Sequence, residues 1–208
     1  MKILELFAGT ASFSRVAKFY DHDTFTVDID TRFKCDLTAD ILDMELLDIP
    51  HEFRVEPDIL WLSPPCTTFS QAGVWRHWNY QEPKSESAII ALSMIRESIR
   101  LIKVIRPRFW FLENPRSVLR KFPEMQSLPR KEVCYCRYGE FRMKPTDIWT
   151  NAITWEPKPM CYNGCRDHIT AERGSTTGTQ GMDPTDSGKI PQLLALEIME
   201  HVKHSLEL

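Results

Sequence analysis

The sequence predicts an α/β fold with a mostly parallel central sheet and helices on both faces. Two short apolar runs are typical of buried parallel strands, namely Ile59-Leu60-Trp61-Leu62 and Phe109-Trp110-Phe111-Leu112. Between them, an apolar stripe predicts a helix that begins near Ser85 or Ser87 and stops at Pro107. Strands that alternate with helices favour a parallel sheet. The stripe consists of Ile89, Leu92, Ile95, Ile99 and Ile102.

The N-terminal segment predicts a nucleotide-binding unit. Ile3-Leu4-Glu5-Leu6-Phe7 is typical of a strand, and small residues from Ala8 to Ser14 allow a tight turn close to a ligand. A helix is expected next, followed by the strand Phe25-Thr26-Val27, which ends in Asp28-Ile29-Asp30. A strand, a small-residue turn, a helix and a second strand with an acidic end open a Rossmann-like fold, in which the acid binds a ribose.

A lone cysteine lies on a stiff turn that leaves the first buried strand. Ser63-Pro64-Pro65-Cys66 holds the cysteine backbone because proline fixes φ near about −65° and keeps the preceding residue out of a helix. A nucleophile is expected at such a place, although the thiol then needs a helix N-terminus, a cation or a polarised substrate to react. The alternative is a buried structural cysteine.

The second buried strand ends in a carboxyl group. Glu113-Asn114-Pro115 follows it directly, and ligands of open α/β sheets bind at the carboxyl ends of the strands. Cys66 and Glu113 are therefore expected to converge on one crevice, where a carboxyl group can donate a proton or clamp a substrate. A surface glutamate that caps a helix beginning at Pro115 is the alternative.

In this order, the motifs resemble those of the DNA (cytosine-5) methyltransferases, a family with a Rossmann-like class I S-adenosylmethionine-dependent methyltransferase fold. The run Leu6 to Ser12 resembles the cofactor loop Phe-x-Gly-x-Gly, with Ala11 at the second glycine. Asp28 resembles the acid that holds the ribose. The pair that recognises adenine is matched by Asp40-Ile41, with Asp36-Leu37 as the alternative. The resemblance implies that S-adenosyl-L-methionine is bound by Phe7, Ala8, Gly9, Thr10, Ala11, Ser12, Asp28, Ile29, Asp40, Ile41 and Pro64.

The catalytic motifs match with two departures. Pro65-Cys66 with Phe69-Ser70 resembles the loop Pro-Cys-Gln-x-Phe-Ser, with Thr67 at the glutamine, and Glu113-Asn114-Pro115 resembles Glu-Asn-Val. Arg142 to Thr146, after Tyr138-Gly139, is a degraded Gln-x-Arg-x-Arg motif, and the run Lys189 to Ala195 resembles the start of the C-terminal helix that packs on the cofactor loop. The resemblance implies Cys66, Glu113 and Lys144 as catalytic residues and substrate contacts from Pro65, Ser70, Asn114, Arg116, Arg142 and Thr146.

The chemistry that the resemblance implies is covalent. The Cys66 thiolate would add to C6 of cytosine, and C5 would then take the methyl group, while Glu113 neutralises N3 and Lys144 polarises O2. The expected partner is DNA that presents a flipped or single-stranded cytosine. The same chemistry on RNA or a pyrimidine nucleotide, and a catalytically silent binding or regulatory homologue, stay open as alternatives.

Composition agrees with one catalytic domain that spans 1–208. The chain has 208 residues, 42% of them hydrophobic, with a formal net charge of −3. With no signal peptide and no apolar run of about 18 residues, we expect no membrane span and a cytoplasmic location in a bacterial or phage-infected cell.

A candidate phosphate-binding face carries ten basic and four acidic side chains within 106–144. Aromatic or basic side chains that could stack on bases or close over the site are Trp75, Arg76, His77, Trp78 and Tyr80.

A full target-recognition domain is missing. Only the loop-rich segment 156–188 stands where sequence-specific relatives carry one, which predicts weak specificity or a partner protein that supplies recognition. We assign no metal site. The alternative is a zinc site from Cys161, Cys165 and His168, with Cys134 and Cys136 on the preceding strand.

Overall fold

The computed structural model describes residues 1–71, 73–162, 164–169 and 183–207. Its strands are β1 (Lys2–Leu6), β2 (Asp23–Asp28), β3 (Leu37–Thr38), β4 (Ile59–Leu62), β5 (Trp78–Asn79), β6 (Glu82–Pro83), β7 (Phe109–Pro115), β8 (Arg130–Cys134) and β9 (Pro145–Thr150). Its helices are α1 (Ser12–Phe19), α2 (His51–Arg54), α3 (Val74–His77), α4 (Glu86–Ile105), α5 (Pro123–Gln126), α6 (Pro184–Gly188) and α7 (Gln192–Leu206).

Seven strands form one sheet in the order β3-β2-β1-β4-β7-β9-β8, and β5 pairs with β6 in a separate hairpin. The pairs among β3, β2, β1, β4 and β7 are parallel, whereas β9 runs antiparallel to both β7 and β8. The sequence order reverses between β1 and β4, which is the switch point where ligands bind in open α/β sheets. The predicted α/β class is confirmed.

The two faces of the sheet carry separate apolar cores. One core contains Leu4, Leu60 and Leu112 and includes the buried face of α4. The other contains Ile3, Trp61 and Phe111 and packs α1 and α7 against the sheet. The side chains alternate along each strand, so helices on both faces cover the central strands and exclude water from them.

Three local expectations are corrected. The predicted stripe of α4 is wrong at one end, because Ile89 is 55% exposed while Ala88 and Ala91 are buried; Leu92 and Ile95 are buried as expected. No helix begins at Pro115, which lies in β7. The sequence from Tyr138 to Trp149 is also compatible with a hairpin, whereas the structure pairs β8 with β9, joined by a segment that opens with the 3₁₀ turn Tyr135–Tyr138.

The described helices include none that combines the length and the apolar character needed to cross a membrane.

Candidate active site

Strand register brings the three predicted loops side by side. Leu6 of β1 pairs with Leu62 of β4, and Leu62 pairs in turn with Leu112 of β7. The residues that follow each leucine therefore leave the same edge of the sheet in a row. The Ser63 backbone N–H donates to the Leu6 carbonyl at 3.3 Å, which ties the cysteine loop to the cofactor loop.

The predicted cofactor loop is held in an unusual backbone conformation. Phe7, Gly9 and Ala11 have φ of 56°, 50° and 51°, in the left-handed region that favours glycine. Ala11 thus occupies the position at which the related motif has its second glycine, and holding a Cβ there costs about 1 kcal/mol. The Gly9 N–H donates to Asp28 Oδ2 at 2.7 Å, so the predicted ribose-binding acid also fixes the loop.

The structure separates the two candidate adenine-binding pairs. The Asp36 carboxylate accepts two hydrogen bonds from Thr26, at 2.9 Å from the backbone and 2.7 Å from the hydroxyl. Although Asp36 is exposed, its carboxylate is therefore already engaged by Thr26. Asp40 accepts only from the Leu42 N–H of its own turn among the hydrogen bonds that the described residues make to its side chain. This geometry favours Asp40-Ile41, with Ile41 buried and Ile29 58% exposed.

The segment before α7 fastens the cofactor loop, as the resemblance implied. The Ile190 N–H donates to Ser12 Oγ at 2.9 Å. The helix itself buries Leu194, Ile198 and Val202 against α1 and the sheet.

Glu5 is a buried acid that sequence reasoning did not assign to the site. Its Oε2 accepts from the Ser14 N–H at 2.8 Å, in the first turn of α1. Burial raises the pKa of the Glu5 carboxyl from 4.5 to about 7, and the hydrogen bonds from Ser14 oppose this shift. Glu5 thus anchors the helix that follows the cofactor loop.

The Glu5 pKa predicts a pH-dependent stability. Between pH 4.5 and pH 7 the folded protein holds a proton that the unfolded chain has lost, so this contribution to stability falls as the pH rises. We expect the free energy of unfolding of the wild type, relative to Glu5→Gln, to fall by up to about 1.4 kcal/mol per pH unit in this window. Urea titrations at several pH values measure it. The control is Glu45→Gln, which removes one carboxylate at an exposed position. The prediction would be contradicted if the difference in the free energy of unfolding between wild type and Glu5→Gln did not change with pH.

The cysteine loop is rigid because several groups converge on it. The Cys66 carbonyl accepts from the N–H groups of Phe69 and Ser70, at 3.0 and 2.9 Å. The Phe69 ring is stacked on Trp78 with centroids 5.3 Å apart, and Trp78 Nε1 donates to the Thr68 carbonyl at 3.0 Å. A Cβ at Gly73 would lie 2.6 Å from the Thr67 carbonyl oxygen, so only glycine fits there.

The environment of Cys66 disfavours its thiolate form. Burial raises the pKa of Cys66, and the negative charge of Glu113 raises it further, whereas the Lys144 ammonium lowers it. The three residues predicted to be catalytic therefore act on one another electrostatically.

Glu113 lies in a buried hydrogen-bonded group. Its Oε1 accepts from the Tyr135 hydroxyl at 2.8 Å and lies 3.4 Å from Lys144 Nζ. Lys144 also donates to the Ser187 carbonyl at 3.1 Å and lies 4.5 Å from the centre of the Tyr135 ring. Burial and the adjacent Glu113 charge raise the pKa of Tyr135 well above its usual value, so its hydroxyl stays a donor. Sequence reasoning missed Tyr135.

The residues predicted to contact substrate divide into two groups. Asn114 and Thr146 are fully buried, and Arg142 is nearly so. Asn114 Nδ2 donates to the Pro64 carbonyl at 3.0 Å and thus joins β7 to the cysteine loop. These three buried side chains therefore support the candidate site from within the protein. Those that solvent reaches are Pro65, Ser70 and Arg116, although Arg116 is paired with Glu132 at 3.4 Å.

The basic segment 106–144 is not the free phosphate-binding face that we expected. Each of its basic side chains except Lys121 has an acidic group within 4.0 Å, and examples are Arg106 with Glu56 and Arg108 with Asp58.

The aromatic side chains that were expected to stack on bases or close over the site differ in exposure. Trp78 is buried, while Trp75 and Tyr80 are 63% and 93% exposed.

Comparisons with known proteins agree with this geometry. A family model described as C-5 cytosine-specific DNA methylase matches residues 1–125. The "Probable DNA (cytosine-5)-methyltransferase" of Frog virus 3 (isolate Goorha) is 26% identical over 220 residues, which cover 96% of this chain and 99% of the relative. The type II methyltransferase M.SacI of Streptomyces achromogenes is 28% identical over 124 residues, which cover 57% of this chain and 30% of the relative.

A solved structure shows the same fold. The crystal structure described as a DNA modification methyltransferase encoded within a prophage (E. coli) matches with 15% identity and a TM-score of 0.54, over 77% of this chain and 52% of that chain. Fold and site geometry together define a Rossmann-like S-adenosyl-L-methionine-dependent methyltransferase. The chain belongs to the C-5 cytosine-specific DNA methylase family.

Proposed function

We propose that this chain methylates C5 of cytosine in DNA through a covalent bond between Cys66 Sγ and C6 of the base. The observation that carries the proposal is the convergence of Cys66, Glu113 and Lys144 beside the cofactor loop, at the switch point of the sheet. Cofactor binding by the loop from Phe7 to Ser12 is supported by its left-handed turns and its bond to Asp28. S-adenosyl-L-methionine supplies the methyl group of this family.

Each residue has a defined task in the proposed reaction. The Cys66 thiol loses its proton and forms the bond to C6, which makes the ring an enamine that attacks the methyl group through C5. Glu113 takes up a proton from solvent when the base binds and donates it to N3 as charge develops there, while the ammonium of Lys144 reaches O2. The C5 proton then passes to a water molecule, and the electron pair of the broken C–H bond expels the Cys66 thiolate from C6, which restores the aromatic ring and the enzyme.

Glu113 is well prepared for this task. Both hydrogen bonds that the described residues make to its side chain end on Oε1, from Tyr135 and Lys144. Oε2 is thereby the oxygen available for the base. Because Tyr135 and Lys144 fix the carboxyl plane before substrate arrives, little reorganisation is needed during the reaction.

The exposed residues beside the cysteine loop are candidates for holding the DNA. Arg76 stacks on Trp75 with its guanidinium carbon 4.8 Å from a ring centre, and Tyr80 projects fully into solvent. We propose that these aromatic side chains stack on bases, which favours a flipped or single-stranded cytosine. Because the basic side chains of 106–144, except Lys121, are paired with acidic groups, we also propose that the single domain 1–208, whose segment 156–188 replaces a target-recognition domain, relies on a partner protein for specificity.

The test is transfer of tritiated methyl groups from S-adenosyl-L-methionine to single-stranded DNA, duplex DNA, transfer RNA and dCTP in parallel. In a second arm, an oligonucleotide with 5-fluorocytosine traps the covalent adduct, since fluorine at C5 blocks the elimination. Transfer to DNA with an adduct mapped to Cys66 by mass spectrometry supports the proposal.

Other outcomes overturn it in part or in full. Transfer to RNA or to dCTP alone replaces the substrate class but keeps the chemistry. Methylated DNA without a trapped adduct contradicts the covalent step. Neither transfer nor adduct, with cofactor binding retained in calorimetry, identifies a catalytically silent homologue.

A further inference from the structure

Four side chains that the proposed reaction does not use meet beside the turn that follows β8. One sulfur comes from the 3₁₀ turn after β8, and the remaining donors come from the loop that follows residue 156. Their ligand atoms all lie within 4.8 Å of one another. The four residues are Cys136, Cys161, Cys165 and His168.

The donor atoms are clustered closely enough to surround a single ion after small shifts. His168 Nδ1 lies 3.4 Å from Cys161 Sγ and 3.1 Å from Cys165 Sγ. Tetrahedral zinc, with Zn–S bonds of about 2.3 Å and a Zn–N bond of about 2.0 Å, needs edges of about 3.5 to 3.8 Å. The Cys161 and Cys165 sulfurs, 2.7 Å apart, would move outward by about 1 Å to reach such an edge.

The loop has little else to order it. Its apolar anchor is a small group in which Met143 and Met160 pack against buried cysteines. Polar contacts hold the loop along the turn after β8, because Arg137 pairs with Asp167 and the Ile169 N–H donates to the Phe141 carbonyl at 2.7 Å. So small a core contributes little stability, and a metal crosslink would supply it.

We propose a structural zinc site whose four ligands are Cys136, Cys161, Cys165 and His168. Three sulfurs and one imidazole around a single position suit zinc, whereas iron–sulfur clusters use cysteine almost throughout. Four protein ligands leave no open position for a substrate, so the ion is structural.

The position of the site gives the ion a further consequence. Cys136 immediately follows Tyr135, which donates to Glu113. A zinc ion there links the start of the segment 156–188 to the turn after β8. That turn contains Tyr135, which holds the predicted catalytic Glu113. Metal binding is independent of whether the chain methylates DNA, so the two proposals fail separately.

The experiment measures zinc by mass spectrometry in tag-free full-length protein purified without added metal or chelator. We expect about one zinc ion per chain in the wild type and less than about a tenth of that in His168→Ala and Cys161→Ala. His168→Cys, which restores a fourth ligand, should regain the ion. Cys35→Ser is the matched control, because it removes a cysteine outside the cluster and should keep the ion.

Cobalt gives a readout that does not depend on folding alone. Co²⁺ bound by sulfur in a tetrahedral site absorbs strongly in the visible range, and His168→Ala should lose this absorption while retaining wild-type circular dichroism. The proposal is overturned if the wild type contains no stoichiometric zinc after incubation with the metal, if His168→Ala keeps it, or if a Cys161–Cys165 disulfide occupies the site in protein purified under reducing conditions.

Discussion

Cys66→Ala is expected to lower the rate of methyl transfer by about four orders of magnitude or more, because in the proposed reaction the Cys66 sulfur is the group that adds to C6 of the base. The side chain is part-buried at the end of β4, and its carbonyl fixes the turn through Phe69 and Ser70. Removing only Sγ leaves these backbone bonds in place. The loss should therefore appear in the chemical step and not in folding.

Single-turnover transfer of tritiated methyl groups measures the effect, with cofactor binding by calorimetry as the control for an intact site. The pKa of Cys66 is raised by burial and by Glu113, so wild-type kcat/KM should increase with pH above neutrality. A Cys66→Ala protein with more than about a tenth of wild-type activity would exclude covalent catalysis by this residue.

The sequence predicted the central part of the site because it depends on local patterns. Strands buried on both faces consist of continuous apolar residues, so β4 was recognised at its observed bounds, Ile59–Leu62. Parallel strands then place the residues after Leu62 and Leu112 together without further information. Cys66 and Glu113 followed from these two facts.

Tyr135 could not be predicted in the same way. Tyr135 reaches Glu113 through two antiparallel pairings, of β9 with β7 and of β8 with β9. Together these pairings bring the end of β8 back to the candidate site. No local pattern in Cys134-Tyr135-Cys136 distinguishes this tyrosine from Tyr138, which instead donates to Glu197 at 2.9 Å.

The errors share a physical cause, because each concerns partners distant in sequence. From the sequence alone, the basic residues of 106–144 were interpreted as free charges. In the fold, strand pairing places acidic groups beside them, and Asp147, for example, is buried between Arg120 and Arg130. Similarly, the predicted stripe of α4 is right at Leu92 and Ile95 and wrong at Ile89. Close packing on the sheet selects small residues such as Ala88 and Ala91 and leaves Ile89 outside.

Glu113→Gln is expected to reduce kcat by about 10²- to 10⁴-fold, because an amide of the same shape cannot transfer a proton to N3. The variant keeps an oxygen that accepts from Tyr135, so its fold and cofactor binding should be preserved. Burial of an uncharged amide in place of a carboxylate also costs less, and urea unfolding should show no loss of stability.

Tyr135→Phe separates positioning from proton transfer. Without the 2.8 Å bond, Glu113 keeps Lys144 as a partner, so we expect a loss of about tenfold in kcat with adduct formation retained. Glu113→Gln should instead lose adduct formation with 5-fluorocytosine as well, since thiolate addition requires the charge at N3 to be neutralised. If Glu113→Gln formed the adduct at the wild-type rate, the proton would come from another group, and Lys144, at 3.4 Å from Oε1, would be the residue to replace next.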